Sequence, residues 1–311
     1  MALIYHAGQR EVQTEANTIP TADRLANWVK DPDAGIPEFI ALADLILLAT
    51  PDARGVLRFQ SVSGRAPLVD GDAASEMRLP RGVNAPPAPV PAGGIAINLE
   101  ERRRARLNGT LVMTDEGPMF SARETFYNCR KYIAPSSPID DALHIGPVSR
   151  RPVALDDLNL VAAVARVETA FLASVGEAGL PDVSHRGGAR GFISLDTTSS
   201  TMHWSELIGN GMLKSAGNVR ANGTLTLLVL DVETGDAYEL SGRGTYETKL
   251  RYDEPRSSGL WPHHEDFPVQ GEMSVRVTEA WRLQSLIRPR RKLEDEDKVT
   301  SCSPVEDQVP R

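Results

Sequence analysis

Residues 182–196 read Asp182-Val183-Ser184-His185-Arg186-Gly187-Gly188-Ala189-Arg190-Gly191-Phe192-Ile193-Ser194-Leu195-Asp196, and after Trp204 the chain continues Gly209-Asn210-Gly211-Met212-Leu213-Lys214-Ser215-Ala216-Gly217-Asn218. A basic, glycine-rich turn thus lies between two strand-like runs, with a second glycine-rich loop after it. Strand alternation puts Ser184 and Arg186 on one face and Val183 and His185 on the other. Gly187 and Gly188 let the backbone approach a bound ring closely. In the second loop Asn210 and Gly211 make a turn, Lys214 and Ser215 offer an ammonium and a hydroxyl side by side, and Asn218 can cap the loop or bond a ligand. Backbone amides, a hydroxyl and two cations at one place suit a phosphate monoester. One such turn would read as a solvated hairpin. Two, each with a cation and one strand apart, read as a phosphate cradle.

The chain has 311 residues, enough for two ordinary domains. Its apolar fraction of 41% and charged fraction of 24% are those of a soluble globular protein. A formal net charge of −8 argues against a general nucleic-acid binder, which needs a basic face. No apolar run is long enough to span a bilayer and no signal segment opens the chain, so a cytoplasmic protein without a membrane partner is expected. Cys129 and Cys302 stand far apart and read as reduced thiols. Cys129 neighbours Arg130 and Lys131, yet a small buried hydrophobe is the better reading than a nucleophile. The six histidines show no paired ligand spacing, so no metal site is expected. His263 and His264 read as loop residues facing solvent, as does Arg251.

Helical periodicity appears over 21–50, the second of two runs spanning 37–49 from Pro37. Short β-type runs follow at 56–59, 94–97 and 105–112, around a Pro- and Gly-rich loop at 80–94. The four prolines of 135–153 mark an interdomain linker. A helix over 155–170 then leads to strands at 171–175, 181–186, 190–196 and 224–232, and a turn at Thr234-Gly235-Asp236 opens a strand at 237–246. The halves repeat each other. Leu47–Thr50, Gly55, Gly64, Leu68 and Val69 fall on Phe171–Ser174, Gly179, Gly188, Phe192 and Ile193 at a constant offset. Arg106-Leu107-Asn108-Gly109 falls on Glu239-Leu240-Ser241-Gly242, and Gly117–Ile133 on Gly271–Ile287. Blocks recurring in one order indicate an internal duplication. The resulting division is a domain at 1–134, a linker at 135–153, a domain at 154–288 and a tail at 289–311 whose charge clusters predict disorder.

The run Asp182–Asp196 with Gly209–Asn218 resembles the FMN site of the pyridoxamine 5′-phosphate oxidase-like family, the FMN-binding split barrels. Tyr5-His6-Ala7-Gly8-Gln9-Arg10-Glu11-Val12-Gln13 and Phe126-Tyr127-Asn128-Cys129-Arg130-Lys131-Tyr132-Ile133 resemble the same family at other places. The resemblance implies a mainly β fold with flanking helices (α+β): two tandem six-stranded antiparallel Greek-key split β-barrels, with FMN between them. It implies that Arg186, Lys214 and Ser215 hold the phosphate, and that Ser184, His185, Gly187 and Gly188 line the ribityl chain and flavin. It places Trp204 and Asn210 beside them, although a strand tryptophan is more often core. Over Ser184-His185-Arg186 the repeat places Gln60-Ser61-Val62, so the first barrel lacks the cation and is expected to serve as a wall for the second barrel's site.

The expectation is an FMN-dependent oxidoreductase acting on a small-molecule substrate at the barrel interface, with His185 or Lys131 as the donor to reduced flavin. Family habit points to a homodimer. The alternatives are a deazaflavin-dependent reductase in the same pocket and a non-catalytic flavin- or haem-binding barrel. Haem would require His185 or His203 as an axial ligand.

Overall fold

Two apolar runs, Leu45–Ala49 and Ala170–Ala173, lie at the centre of two sheets. In the computed structural model, which describes residues 4–28, 35–65, 67–73, 75–128, 130–133, 139–177, 179–251 and 268–289, the first half forms β1 (Leu45–Pro51), β2 (Leu57–Ser63), β3 (Asp70–Ala73), β4 (Glu76–Arg78), β5 (Val90–Asn98), β6 (Arg103–Thr114) and β7 (Gly117–Asn128). With β8 (His144–Gly146) they make one antiparallel sheet of order β3-β4-β7-β6-β5-β1-β2-β8. The second half forms β10 (Thr169–Val175), β11 (Pro181–Gly187), β12 (Ser194–Asp196), β13 (Thr201–Leu207), β14 (Thr224–Leu230), β15 (Ala237–Arg251) and β16 (Val269–Gln284). Their order is β12-β13-β16-β15-β14-β10-β11, with β9 (Ser149–Val153) pairing β16. Strand for strand this is the order β3-β4-β7-β6-β5-β1-β2 of the first sheet. The fold is mainly β with flanking helices, two split barrels in tandem.

Alternation assigns each central strand to two cores. Ile46 and Leu48 of β1 point into the first barrel with Phe39, Leu107 and Phe120. Leu45, Leu47 and Ala49 point the other way and meet Phe171, Ala173, Val183 and Leu228 of the second barrel. Ala170 and Leu172 of β10 enter the second barrel's own core. Strands buried on both faces read as continuous apolar runs without a period. For that reason the predicted helix over 37–49 is corrected: α3 (Gly35–Ala41) ends early and β1 begins at Leu45. The predicted helix over 155–170 likewise shortens to α4 (Leu158–Arg166) before β10. The loop predicted at 80–94 ends at Val90, where β5 starts. A fully buried Leu or Phe contributes roughly 1.5–3 kcal/mol, so the shared core holds the barrels together as one unit.

The proline-rich segment before the second half contributes β8 to β2 and β9 to β16, one strand to each sheet. Gly146 passes so close to Leu286 that a Cβ would lie 2.2 Å from its carbonyl oxygen. Cys129, Cys302, His263, His264 and the tail from 290 onward lie outside the described residues. Among the described residues no helix is long and apolar enough to cross a membrane.

The sequence repeat continues into backbone irregularities. The β6–β7 register shifts between Asn108 and Gly109, and the β15–β16 register shifts between Ser241 and Gly242. A Cβ on Gly109 would sit 2.0 Å from the Ser121 carbonyl oxygen, and one on Gly242 would sit 2.1 Å from that of Arg276. Each bulge therefore needs a residue without a side chain. Gly242→Ala is expected to cost about 1–3 kcal/mol in urea unfolding. Gly209→Ala, where nothing lies within 4 Å of the added carbon, serves as the neutral control. Equal midpoints for the two variants would refute the bulge assignment.

Candidate functional site

Strand β11 sorts its side chains as alternation requires. Val183 joins the core between the barrels, and the His185 ring meets Phe171 edge to face at 5.5 Å. Ser184 and Arg186 face the opposite way, toward helix α5 (Lys214–Asn222). The predicted second loop thus becomes a helix start: Gly211 at φ +81° and Leu213 at φ 51° turn the chain into α5. The Ser184 and Ser215 hydroxyls bond each other at 2.7 Å and fix α5 to β11.

Helix α5 is held from behind by α1 (Ala7–Glu15), which lies in the opening family-like segment. A Cβ on Gly217 would come within 2.3 Å of Gln9 Cα, and one on Gly8 within 2.8 Å of the Gly217 carbonyl oxygen. The glycines 209–217 signalled a loop in the sequence, but Gly217 serves this close helix–helix contact. Gln9 Nε2 donates to Asn218 Oδ1 at 2.8 Å, and Gln13 Nε2 donates to the Met212 carbonyl at 2.8 Å. Asn218 Nδ2 donates to Ser174 Oγ at 3.0 Å, so Asn218 ties α1, α5 and β10 together.

The start of α5 opens on a narrow cleft of about 90 Å³ between the barrels. The first barrel lines it with Arg104, Arg106 and Tyr132, the second with Arg186, Glu206 and Lys214. Arg186 donates from Nε to Glu206 Oε1 at 2.6 Å and from Nη1 to Ser184 Oγ at 2.7 Å. Trp204 Nε1 donates to the same Glu206 oxygen at 2.6 Å. Lys214 Nζ donates to Glu124 Oε2 of β7 at 2.6 Å. Behind them lies Asp182, 2% exposed, which accepts from Arg106 at 2.8 Å and Asn108 at 2.9 Å. Burial alone would raise the Asp182 pKa, but Arg106, Lys214 and Asn108 outweigh it and hold it below the ordinary carboxylate value. One polar network crosses from barrel to barrel.

His185 is placed by Arg104, whose Nη1 lies 2.7 Å from His185 Nδ1. A guanidinium only donates, so Nδ1 accepts and the imidazole proton sits on Nε2. That Nε2 is buried and has no hydrogen-bond partner among the described residues. Burial, then the charges of Arg104 and Arg186, drives the His185 pKa well below 6.5.

Of the residues singled out in the sequence, His185, Arg186, Gly187, Asn210, Lys214 and Ser215 line this cleft. Ser184 sits behind Arg186 as its acceptor. Gly188 packs against Phe192, where a Cβ would come within 2.8 Å, and is not part of the lining. Trp204 belongs to the second barrel's core and reaches the site only through Glu206. Asn218 lies on α5 but faces α1 and β10 rather than the cleft. The Lys131 side chain is exposed, and its carbonyl accepts from Arg104 at 3.3 Å. His203 is exposed on β13 and bonds Ser274 at 2.8 Å. Sequence reasoning missed Arg104, Arg106, Asp182 as a buried anchor, Glu124 and Glu206. Only the alignment of Arg106 with Glu239 in the repeat pointed to one of them.

No family model matches the chain, and no curated protein matches it. Among solved structures it is similar to a putative pyridoxamine 5′-phosphate oxidase from Lactobacillus delbrueckii, at 16% identity over 43% of this chain and 98% of that one, with a TM-score of 0.30. It is similar to an F420 reductase at 15% identity over 38% and 93%, with a TM-score of 0.25. It is also similar to HutZ, the heme storage protein of Vibrio cholerae, at 15% identity over 45% and 93%, with a TM-score of 0.22.

The neutral state of His185 makes a pH prediction. As pH falls below 6.5 the unfolded chain takes up a proton on this residue that the folded chain refuses. Stability therefore declines with acidification, beginning near 6.5 and continuing down to the depressed folded value. Urea midpoints measured on both sides of 6.5 should fall less steeply for His185→Gln than for the parent. Identical slopes would remove His185 from the acid response.

Proposed function

We propose that the chain is a flavin-dependent oxidoreductase that holds FMN in the cleft between its barrels and acts on a small organic substrate there. What supports this reading is the convergence of Arg186, Lys214 and the start of α5 from one barrel with Arg104 and Arg106 from the other.

The residues fit a phosphate monoester. The first-turn amides of α5 have no acceptor inside the helix, and the dipole adds positive potential at the same end. Arg186 spends Nε and Nη1 on protein acceptors, while Nη2 has no hydrogen-bond partner among the described residues. The cations Arg104, Arg106, Arg186 and Lys214 exceed the carboxylates Asp182, Glu206 and Glu124 by one, leaving room for an anion. The orphaned Nε2–H of His185 supplies a buried donor on the same wall.

FMN, when bound, supplies the redox chemistry through its ring system. The chain's own residues bind and orient. Glu206 and Ser184 fix the plane of Arg186, so little rotamer freedom is lost when an anion arrives. Burial, with Arg104 beside it, holds His185 as a neutral donor, its pKa well below the ordinary value. The core between the barrels keeps water from the back of the imidazole.

The purified protein should show flavin absorbance or bind added FMN in a fluorescence titration. Arg186→Ala removes a charge-assisted donor and should weaken FMN binding about tenfold to a hundredfold. A chain with no flavin bands that also fails to quench FMN fluorescence would sink the proposal. Mass spectrometry of extracted cofactor separates FMN from a deazaflavin, which would use the same anion site.

A further inference from the structure

The sequence repeat aligns Asp182, second residue of β11, with Arg58, second residue of β2. It also aligns Arg106 of β6 with Glu239 of β15, each three residues before its bulge glycine. Strand registers agree: Arg58 pairs Thr50 as Asp182 pairs Ser174, and Arg106 pairs Ile95 as Glu239 pairs Leu228. The structure joins these positions crosswise. Arg106 meets Asp182 at 2.8 Å, and Arg58 meets Glu239 at 3.5 Å. The two ion pairs are related by the repeat, with their charges exchanged.

The exchange extends to the neighbours. Arg54 and Arg58 of the first barrel both reach Glu279 of β16, at 2.9 and 2.6 Å. Across the packed strands the first barrel presents cations and the second carboxylates, while Asp52 of the β1–β2 turn bonds Arg54 and Arg58 within the first barrel. Lys214–Glu124 runs the other way, but Lys214 stands on α5, and the corresponding stretch of the first half forms no helix. All four matched positions are largely buried: the side chains of Arg58 and Arg106 are 14% and 11% exposed, those of Asp182 and Glu239 3% and 0%. Charges so placed are costly to leave facing their own sign.

We propose that this exchanged pair of buried ion pairs is a pairing code that makes the first barrel accept only the second. Two first barrels would set Arg58 against Arg106 twice, and two second barrels would set Glu239 against Asp182 twice. Each homotypic arrangement buries like charges, and only the heterotypic one matches both. Arg150 of β9 moderates the second-barrel clash, because it bonds Glu239 and donates to the Phe59 carbonyl at 2.7 Å. Asp52 moderates the first-barrel clash in the same way, accepting from Arg58 Nε at 3.1 Å, so both homotypic arrangements keep a residual like-charge cost. Its partner is a barrel of the complementary charge, in this chain or in a second copy of it.

The test uses the full-length chain and the Arg58–Glu239 pair, which stands outside the cleft. Arg58→Glu, Glu239→Arg and the double reversal are compared with a neutral set, Arg58→Gln and Glu239→Gln. Molar mass is read by light scattering over a concentration series, and stability by urea unfolding. Arg58→Glu should raise the mass distribution above the parent's, because the reversed charge attracts Arg106 of a second copy; Glu239→Arg should do so through Asp182. The double reversal should return to the parent's distribution and show coupling of about tenfold or more in the unfolding equilibrium. Arg150, which feels both Arg58 and Glu239, keeps an attractive neighbour in that variant. The neutral variants should lose stability without gaining mass. The proposal fails if the neutral variants associate as much as the reversed ones. It also fails if the double reversal does not fold, or if its effects are merely additive.

Discussion

The Asp182 carboxylate is the constraint on which the site depends. A carboxylate 2% exposed is tolerable only with charged and hydrogen-bonding partners around it. Two of those partners, Arg106 and Asn108, come from the other barrel. Seating β11 therefore requires the first barrel to be in place, and β11 also carries Ser184 and Arg186. Through the Ser184–Ser215 contact the start of α5 inherits its position from the same strand. The cleft is thus a product of barrel pairing, not of the second barrel alone.

Much of this was legible in the sequence, for physical reasons. The strand pairs β1–β2 and β10–β11 have equal lengths and equal turns, so a constant offset aligned them. The bulge glycines were legible because no other residue fits beside the Ser121 and Arg276 carbonyls. Strand β1 was hidden because burial on both faces erases its period, although its own match to Phe171–Ser174 marked it as a strand. The start of α5 was hidden because Leu213 enters it through a left-handed conformation, and Gly217 reads as a breaker while serving Gln9. Arg104 was hidden by distance: it is 81 residues from His185, and no local pattern links a β6 arginine to a β11 histidine.

The duplication also explains why the two faces of the molecule differ. At the position related to the cleft, Glu239 accepts from the Phe59 amide at 2.6 Å and from Arg150. Burial pushes its carboxyl up, and Arg150, the Phe59 amide and Arg58 only partly offset that. Glu239 occupies the arginines Arg58 and Arg150 there, which leaves neither free for an incoming anion. The first half also supplies no helix start, since the segment between β4 and β5 contains only an isolated bridge from Arg81 to Val83. Two features of the proposed anion site are missing on that face: β2 has Val62 where β11 has Arg186, and no helix start stands beside it. One face has a cleft lined by cations in excess, and on the other Arg54, Arg58 and Arg150 are matched by Asp52, Glu239 and Glu279.

The closed face is not simply a decayed copy of the open one. Charges placed at random would not match across the interface. Instead Arg58 stands where Asp182 does, and Glu239 stands where Arg106 does, each matched across the interface. On that face no anion is proposed to bind, so a carboxylate at 239 meets no like charge from a ligand. On the other face Arg106 both lines the proposed anion cleft and holds the buried Asp182. Retaining one site per chain and distinguishing the two barrels are then consequences of the same four charges.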